Sequence, residues 1–320
     1  VTGAAGFIGS HLVESLLQLG QQVRGLDNFA TGRRSNLDAV RDAVGGEAWK
    51  RFELVEGDIR DLETCRRAAQ GCERVLHQAA IGSVPRSIED PVTSHTANVD
   101  GTFNVMLAAK EAKVGGFVYA SSSSVYGDSP KLPKTEDDTG NPLSPYAVTK
   151  AVDELYGAIF HRTYGFPAAG LRYFNVVGAR QDPEGPYAAV VPRWLAALAR
   201  GQRPVIYGDG KTSRDFCPVA NVVQVNLLAA SSPAAAGGKV YNVALGKQTT
   251  LNQLFEILRK GMAARGAPCQ GVQAEYQDFR PGDIRHSLAD TSAARKDLGY
   301  APTVDLPEGL TRAIESQEIG

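Results

Sequence analysis

The sequence predicts an α/β protein, a doubly wound parallel sheet of Rossmann type with a smaller C-terminal lobe. Three observations carry this. Short apolar runs alternate with amphipathic stretches through the first half of the chain, the pattern of βαβ units, because parallel neighbours need a crossover between them. A glycine turn, Gly3-Ala-Ala-Gly6-Phe-Ile-Gly9, stands between the first apolar run and the first helical one. At 320 residues the chain exceeds the roughly 150 typical of one domain, so a second lobe has room.

The elements follow in order. Val1-Thr2 reads as part of a first strand, so the natural N-terminus is expected to precede it. Phe7 to Leu19 has helical spacing at Ile8, Leu12, Leu16 and Leu19 and stops at Gly20. Gln22–Asp27 is the next strand. Further strands are expected at 52–56, 74–78, 116–121 and 169–174, with helices near 61–70, 92–113 and 144–163. These make a first, dinucleotide-binding domain over 1–175. Pro183, Pro186, Pro192 and Pro204 interrupt the next stretch, where one helix is expected at 190–200. Helices at 219–231, 251–265, 290–298 and 306–317 complete a second lobe over 176–320. The strand Lys239–Val243 is expected to return to the main sheet, interleaving the two units.

Composition excludes several classes. With 34 Lys+Arg against 35 Asp+Glu, the net charge of −1 lacks the basic excess of a general nucleic-acid or membrane-surface binder. No apolar run approaches the roughly 18 residues a membrane helix needs. The cysteines, Cys65, Cys72, Cys217 and Cys269, form no C-x-x-C pair and have no histidine at ligand spacing. They read as reduced thiols of a cytoplasmic protein with no metal. Gly210-Lys211-Thr212 looks like the end of a P-loop, but Val205 stands where its first glycine is required.

Two constellations carry chemistry. The glycine turn lets the backbone approach a pyrophosphate, and the helix N-terminus adds free N–H groups and a positive dipole end. Asp27 ends the second strand, 18 residues after Gly9, where a carboxylate can bind the adenosine ribose diol. It would repel a 2′-phosphate, which favours NAD over NADP. Asp58 and Ile59, after the third strand, are placed to frame the adenine. Arg33 and Arg34 lie beyond the strand and read as solvated or as touching a phosphate elsewhere.

The second constellation is Ser144-Pro-Tyr146-Ala-Val-Thr-Lys150, which puts Tyr146 and Lys150 on one helix face. Free tyrosine titrates near 10, too high for a base at neutral pH. A neighbouring ammonium and a positive nicotinamide ring both favour phenolate. Lys150 can also hold the nicotinamide ribose hydroxyls. Ser122 stands 24 residues before Tyr146, at the carboxyl end of a strand, where ligands of parallel sheets bind.

With these motifs the chain resembles the extended short-chain dehydrogenase/reductase family over nearly its whole length. It resembles in particular the UDP-hexose 4-epimerases, and among them the bacterial group acting on UDP-N-acetylglucosamine and UDP-N-acetylgalactosamine. The matching segments are Val1–Leu12, Leu26–Gly32, Gly57–Arg60, Leu76–Ser83, Tyr119–Asp128, Ser144–Glu154, Leu171–Gly178, Gly208–Phe216 and Arg280–Ala289. The resemblance implies tightly held NAD and a Ser122–Tyr146–Lys150 triad. It implies a cofactor set of Gly3, Gly6, Phe7, Ile8, Gly9, Asp27, Asn28, Gly32, Asp58, Ile59, Gln78, Ala79, Ala80, Asn98, Tyr146, Lys150, Tyr173 and Phe174. Asn175, Arg214 and Arg280 are implied for the substrate phosphates, Ala189 and Val190 for the nucleotide, Val205 and Tyr207 for uracil, and Asp283 for its ribose. A homodimer joined by a four-helix bundle, from the helices near 92–113 and 144–163, is implied as well.

The implied reaction is redox-neutral inversion at C4 through a 4-keto sugar. Family dehydratases carry an Asp-Glu pair before Val-Tyr-Gly and decarboxylases usually keep the Glu. Here Ser123 and Ser124 occupy those places, which removes both. Galactose-only members close the sugar pocket with a tyrosine where this chain has Ser287. With Gly82 opening the site, and Ser83 and Ser123 able to bond an acetamide, the resemblance implies N-acetylhexosamine substrates, with weaker turnover of UDP-glucose and UDP-galactose. The rival substrate is a UDP-uronic acid, for which Arg86 is the candidate cation. A non-catalytic NAD-binding regulator is the rival of another class, disfavoured because both Tyr146 and Lys150 are present.

Overall fold

The computed structural model describes residues 1–183, 188–279 and 284–317. Its parallel sheet contains β1 (Val23–Asp27), β2 (Phe52–Glu56), β3 (Val75–His77), β4 (Phe117–Ser122), β5 (Ala168–Tyr173) and, along β5, the strand Gly237–Val243. The Val1–Thr2 segment is the centre of the order. Thr2 bridges Leu26 of β1 on one side and His77 of β3 on the other, both in parallel. The chain therefore winds outward from Thr2 in both directions, which opens a crevice at the carboxyl ends of the strands beside it.

Helices cover both faces. Leu12, Leu76, Val118, Leu171 and Val222 form the core on one side. Ile59, Met106, Phe117, Phe160 and Phe166 form it on the other. Each such side chain contributes roughly 1.5–3 kcal/mol on burial. The lobe has its own core around Trp194, Leu198, Phe255, Leu258 and Leu310.

The helix Pro145–Tyr164, which carries Tyr146 and Lys150, has explicit ends. Ser144 caps it by accepting from the Ala147 amide at 3.1 Å, Pro145 occupies its first turn, and Gly165 ends it in the left-handed conformation. Gly157 lets it approach the sheet closely, because a Cβ there would lie 2.5 Å from the Tyr119 hydroxyl oxygen.

Three elements differ from expectation. A helix, Arg34–Trp49, fills the β1–β2 connection, where none is expected from the sequence. Its buried stripe is short, with Leu37 and Val40, and Gly45 has non-helical angles inside it. A short helix, Val84–Glu89, follows β3. The helix expected over 92–113 is divided into Pro91–His95, a π segment Thr96–Asp100, and Gly101–Glu111. Asn98 lies in this π segment, a kind of bulge frequent at functional sites.

Candidate active site

A cavity of about 510 Å³ lies in the crevice. The glycine turn forms its floor. Gly3 adopts φ +66°, and a Cβ on it would lie 2.8 Å from the Ala79 nitrogen. A Cβ on Gly9 would lie 1.9 Å from the Gly3 carbonyl oxygen. Only glycine allows the turn to close this tightly onto the first helix, Phe7–Gln18. That helix begins at Gly6 without any side-chain cap, so its first N–H groups remain available to an anion.

Asp27 is buried at the end of β1. Its carboxylate accepts from the Ala5 amide at 2.9 Å and the Phe29 amide at 2.8 Å. Gly32 packs so close that a Cβ would meet Asp27 Oδ1 at 2.8 Å. Asn28 donates to Asp58 at 2.8 Å, and Arg60 pairs with Asp58 at 2.7 Å, pulling its carboxyl down to about 2. Ile59 packs against Gly101. Arg34 pairs with Glu56 at 2.6 Å and stacks on Phe29, while Arg33 pairs with Asp182.

At the other end of the cavity stand Ser122, Tyr146 and Lys150, all lining it. Ser122 ends β4 in extended conformation, and its Oγ accepts from the Ser124 amide at 3.1 Å. Tyr146 is half-buried in the first turn of its helix, and its amide donates to Ser87 Oγ at 3.0 Å. Lys150 is buried, donating from Nζ to the Ala120 carbonyl at 2.9 Å and to Asp153 Oδ2 at 3.1 Å.

Gln78, Ala79, Ala80, Gly82, Tyr173 and Asn175 also line the cavity. Gln78 and Tyr173 are locked together. The Tyr173 hydroxyl donates to Gln78 Oε1 at 3.0 Å and accepts from Asn226 at 2.8 Å, and Gln78 donates to Asn226 at 3.0 Å. Asn175 has φ +32°, a backbone region sparsely used outside glycine and asparagine. Its side chain donates to the Asp215 carbonyl at 3.3 Å.

The remaining sequence candidates lie elsewhere. Phe174 is fully buried, packed at a tilt against Tyr126 with ring centroids 5.8 Å apart. Asn98 is also fully buried. It exchanges two hydrogen bonds with the backbone of Ile81, at 2.7 and 3.1 Å, and donates to Thr149 at 3.1 Å, tying the loop after β3 to the Tyr146 helix. Ser83, at φ +97°, caps the Val84–Glu89 helix that bears Arg86. Ser123 begins a 3₁₀ turn. In the lobe, Ala189 caps the helix starting at Val190, and Val205 and Tyr207 lie on a strand paired with Glu275–Gln277. Arg214 lies in a two-residue strand whose Ser213 bonds His286 at 2.8 Å and accepts from the Ser287 amide at 3.1 Å. Arg280 and Asp283 lie outside the described residues.

Several polar groups back the site. Thr2 meets His77 Nδ1 at 2.7 Å and Thr102 meets its Nε2 at 2.9 Å, while burial pushes His77 down to about 3, so the ring is neutral. Glu154 takes two bonds from Arg172, at 2.8 and 2.7 Å. Asp153 and Glu154 fall three and four residues after Lys150, the spacing by which helix neighbours meet. Among the described residues no cluster of side chains could hold a metal ion, and no helix is long and apolar enough to cross a membrane.

The family described as the NAD dependent epimerase/dehydratase family matches residues 1–244. A UDP-glucose 4-epimerase of Mycolicibacterium smegmatis is 38% identical over 98% of this chain and 96% of that protein. The structure of a UDP-N-acetylglucosamine 4-epimerase from Methanobrevibacter ruminantium, in complex with UDP-N-acetylmuramic acid, superposes with a TM-score of 0.89 at 37% identity, covering 98% of this chain and 96% of that one. That of a Thermus thermophilus UDP-glucose 4-epimerase complexed with NAD gives 0.83 at 32% identity, over 98% and 97%. The chain belongs to the NAD-dependent epimerase/dehydratase family of extended short-chain dehydrogenase/reductases. It is an epimerase-type enzyme, and its cofactor is NAD.

Proposed function

We propose that the protein inverts C4 of UDP-N-acetylhexosamines, interconverting UDP-N-acetylglucosamine and UDP-N-acetylgalactosamine, with slower action on UDP-glucose and UDP-galactose. The observation that carries the reaction type is the convergence of Ser122, Tyr146 and Lys150 on one cavity, with serines, not carboxylates, following Ser122. Elimination of water needs an added acid and base, whereas epimerisation does not.

The cavity fits NAD by its own geometry. Gly3 and Gly9 leave no room for a Cβ, the first helix starts uncapped, and Asp27 closes the far end. Bound NAD supplies the acceptor and donor for the C4 hydride. Tyr146, as phenolate, takes the proton of the sugar 4-OH, and Ser122 hydrogen-bonds that oxygen. Lys150 stabilises the phenolate. The 4-keto sugar turns about its bond to the diphosphate and presents its opposite face to the cofactor, and Tyr146 then returns the proton to the C4 oxygen. Asn175 and Arg214 hold the diphosphate through the turn, since a guanidinium suits paired phosphate oxygens. Losing the keto sugar mid-cycle would stop turnover, so an enclosed site is essential.

The N-acetyl preference rests on space. A Cβ added to Gly82 would meet nothing within 4 Å, and Ser287 is small. Assay of the UDP-sugar panel with product chromatography tests this reading. Higher kcat/KM on UDP-N-acetylgalactosamine supports it, and equal or higher kcat/KM on UDP-galactose overturns it.

The same helix supports a homodimer. Val148, Leu155 and Ile159 are exposed along Pro145–Tyr164, and Val92 is exposed on Pro91–His95. Their spacing makes one apolar stripe. A second copy packed there would give a four-helix bundle. Light scattering is expected to give twice the chain mass, and Leu155→Glu to give the monomer.

A further inference from the structure

We propose that Asp153 is the counter-charge and anchor of Lys150, a positioning residue that keeps the ammonium in place through both halves of the cycle. Tyr146, Lys150 and Asp153 lie at i, i+4 and i+7 on one helix face. Potential phenolate, ammonium and carboxylate therefore alternate along a single stripe. Lys150 and Asp153 are each 1% exposed. A buried ammonium without an anion sheds its proton, because burial disfavours the charged form. The partners of Lys150 Nζ are the neutral Ala120 carbonyl and Asp153 Oδ2. Asp153 in turn accepts a hydrogen bond from Lys150.

The surrounding groups cannot replace that anion. His77, from β3, is neutral. Tyr119, from β4, is held as the phenol by burial. Thr102, from Gly101–Glu111, hydrogen-bonds the Asp153 carboxyl and meets His77, but its hydroxyl carries no charge. Glu154, on the same helix, is bound to Arg172 of β5 and accepts from Ser121 at 2.5 Å. Tyr146 can balance the lysine only while it is phenolate. Once it holds the proton of the sugar hydroxyl, Asp153 is the anion that remains. Burial lowers the lysine pKa, yet Asp153, followed by Tyr146, carries it above the ordinary value.

The inference rests on the proposed roles of Tyr146 and Lys150. The test is the pH profile of kcat on UDP-N-acetylgalactosamine for the NAD-loaded enzyme and its Asp153→Asn variant, which keeps shape and removes charge. In the wild type the alkaline limb is expected above about pH 10, near or beyond the ordinary lysine value. In the variant it is expected about one unit or more lower, because burial then acts unopposed. KM and bound NAD are expected to be unchanged.

A purely structural role would reduce activity without moving the limb. An alkaline limb that coincides with the wild type's in an active variant overturns the proposal, as does a wild-type limb below pH 9. Should the Asn variant not fold, Asp153→Ser replaces it in the same titration. A folded, NAD-loaded wild type that inverts no UDP-sugar overturns the epimerase reading instead.

Discussion

The dinucleotide end and the sugar end of this molecule are built differently. At the dinucleotide end the grip is backbone. The glycine turn is fixed by approaches too close for any Cβ, and the Asp27 carboxylate is locked by two amides. All of this hangs on consecutive strand ends of one sheet. The sugar end is assembled from scraps of the lobe. Ser213–Arg214 pairs with Thr249–Thr250, and an isolated bridge joins Ser213 to His286. On the proposed reading, cofactor binding therefore tolerates almost no change at a few positions, while sugar choice would rest on side chains that can be exchanged singly. Tyr146 stands at the junction and, on the same reading, serves both.

Substitutions can break this contrast, and the largest effect is expected at the junction. Tyr146→Phe should lower kcat about 10³-fold, the scale of a lost general base, while NAD released on denaturation stays stoichiometric by mass spectrometry. Inversion at the wild-type rate would remove Tyr146 as the base. Gly9→Ala tests the rigid end. Its methyl would lie 1.9 Å from the Gly3 oxygen, so loss of about 2 kcal/mol or more is expected from overpacking alone, with bound NAD depleted. Denaturant melting and the NAD assay measure both. Ser287→Tyr tests the exchangeable end. Turnover of UDP-N-acetylgalactosamine should fall about tenfold relative to UDP-galactose, as pocket size changes typically give, with NAD content untouched. An equal loss on both sugars would mean that Ser287 supports the loop without reading the sugar.

The same contrast explains what the sequence made legible. Hydrophobic period and glycine spacing report a sheet with crossovers, and the strand and helix order of the first half is readable from them. So is the lining of the crevice by Gly3, Gly6, Gly9, Asp27, Ser122, Tyr146 and Lys150. Phe174 shows where adjacency misleads. Side chains alternate at the end of β5, so Tyr173 lines the cavity while Phe174 turns into the core, and the φ +32° backbone at Asn175 brings that residue back to the cavity. Asn98 sits in a π segment that no apolar period signals. The Arg34–Trp49 helix escaped because its apolar stripe is short and Gly45 interrupts it. Strands of two residues in the lobe are too short to show any period. Asp153 was open to notice on helix spacing alone, but its importance follows from the burial of Lys150, which only the packed structure displays.

The central claim is that hydride leaves C4 and returns to the same carbon within one binding event, with the proton carried by Tyr146. UDP-N-acetylgalactosamine deuterated at C4, converted by the purified enzyme in ordinary water and analysed by mass spectrometry and NMR, tests it most directly. The expected product is UDP-N-acetylglucosamine that retains deuterium at C4. Replacement of that deuterium by solvent hydrogen would contradict it.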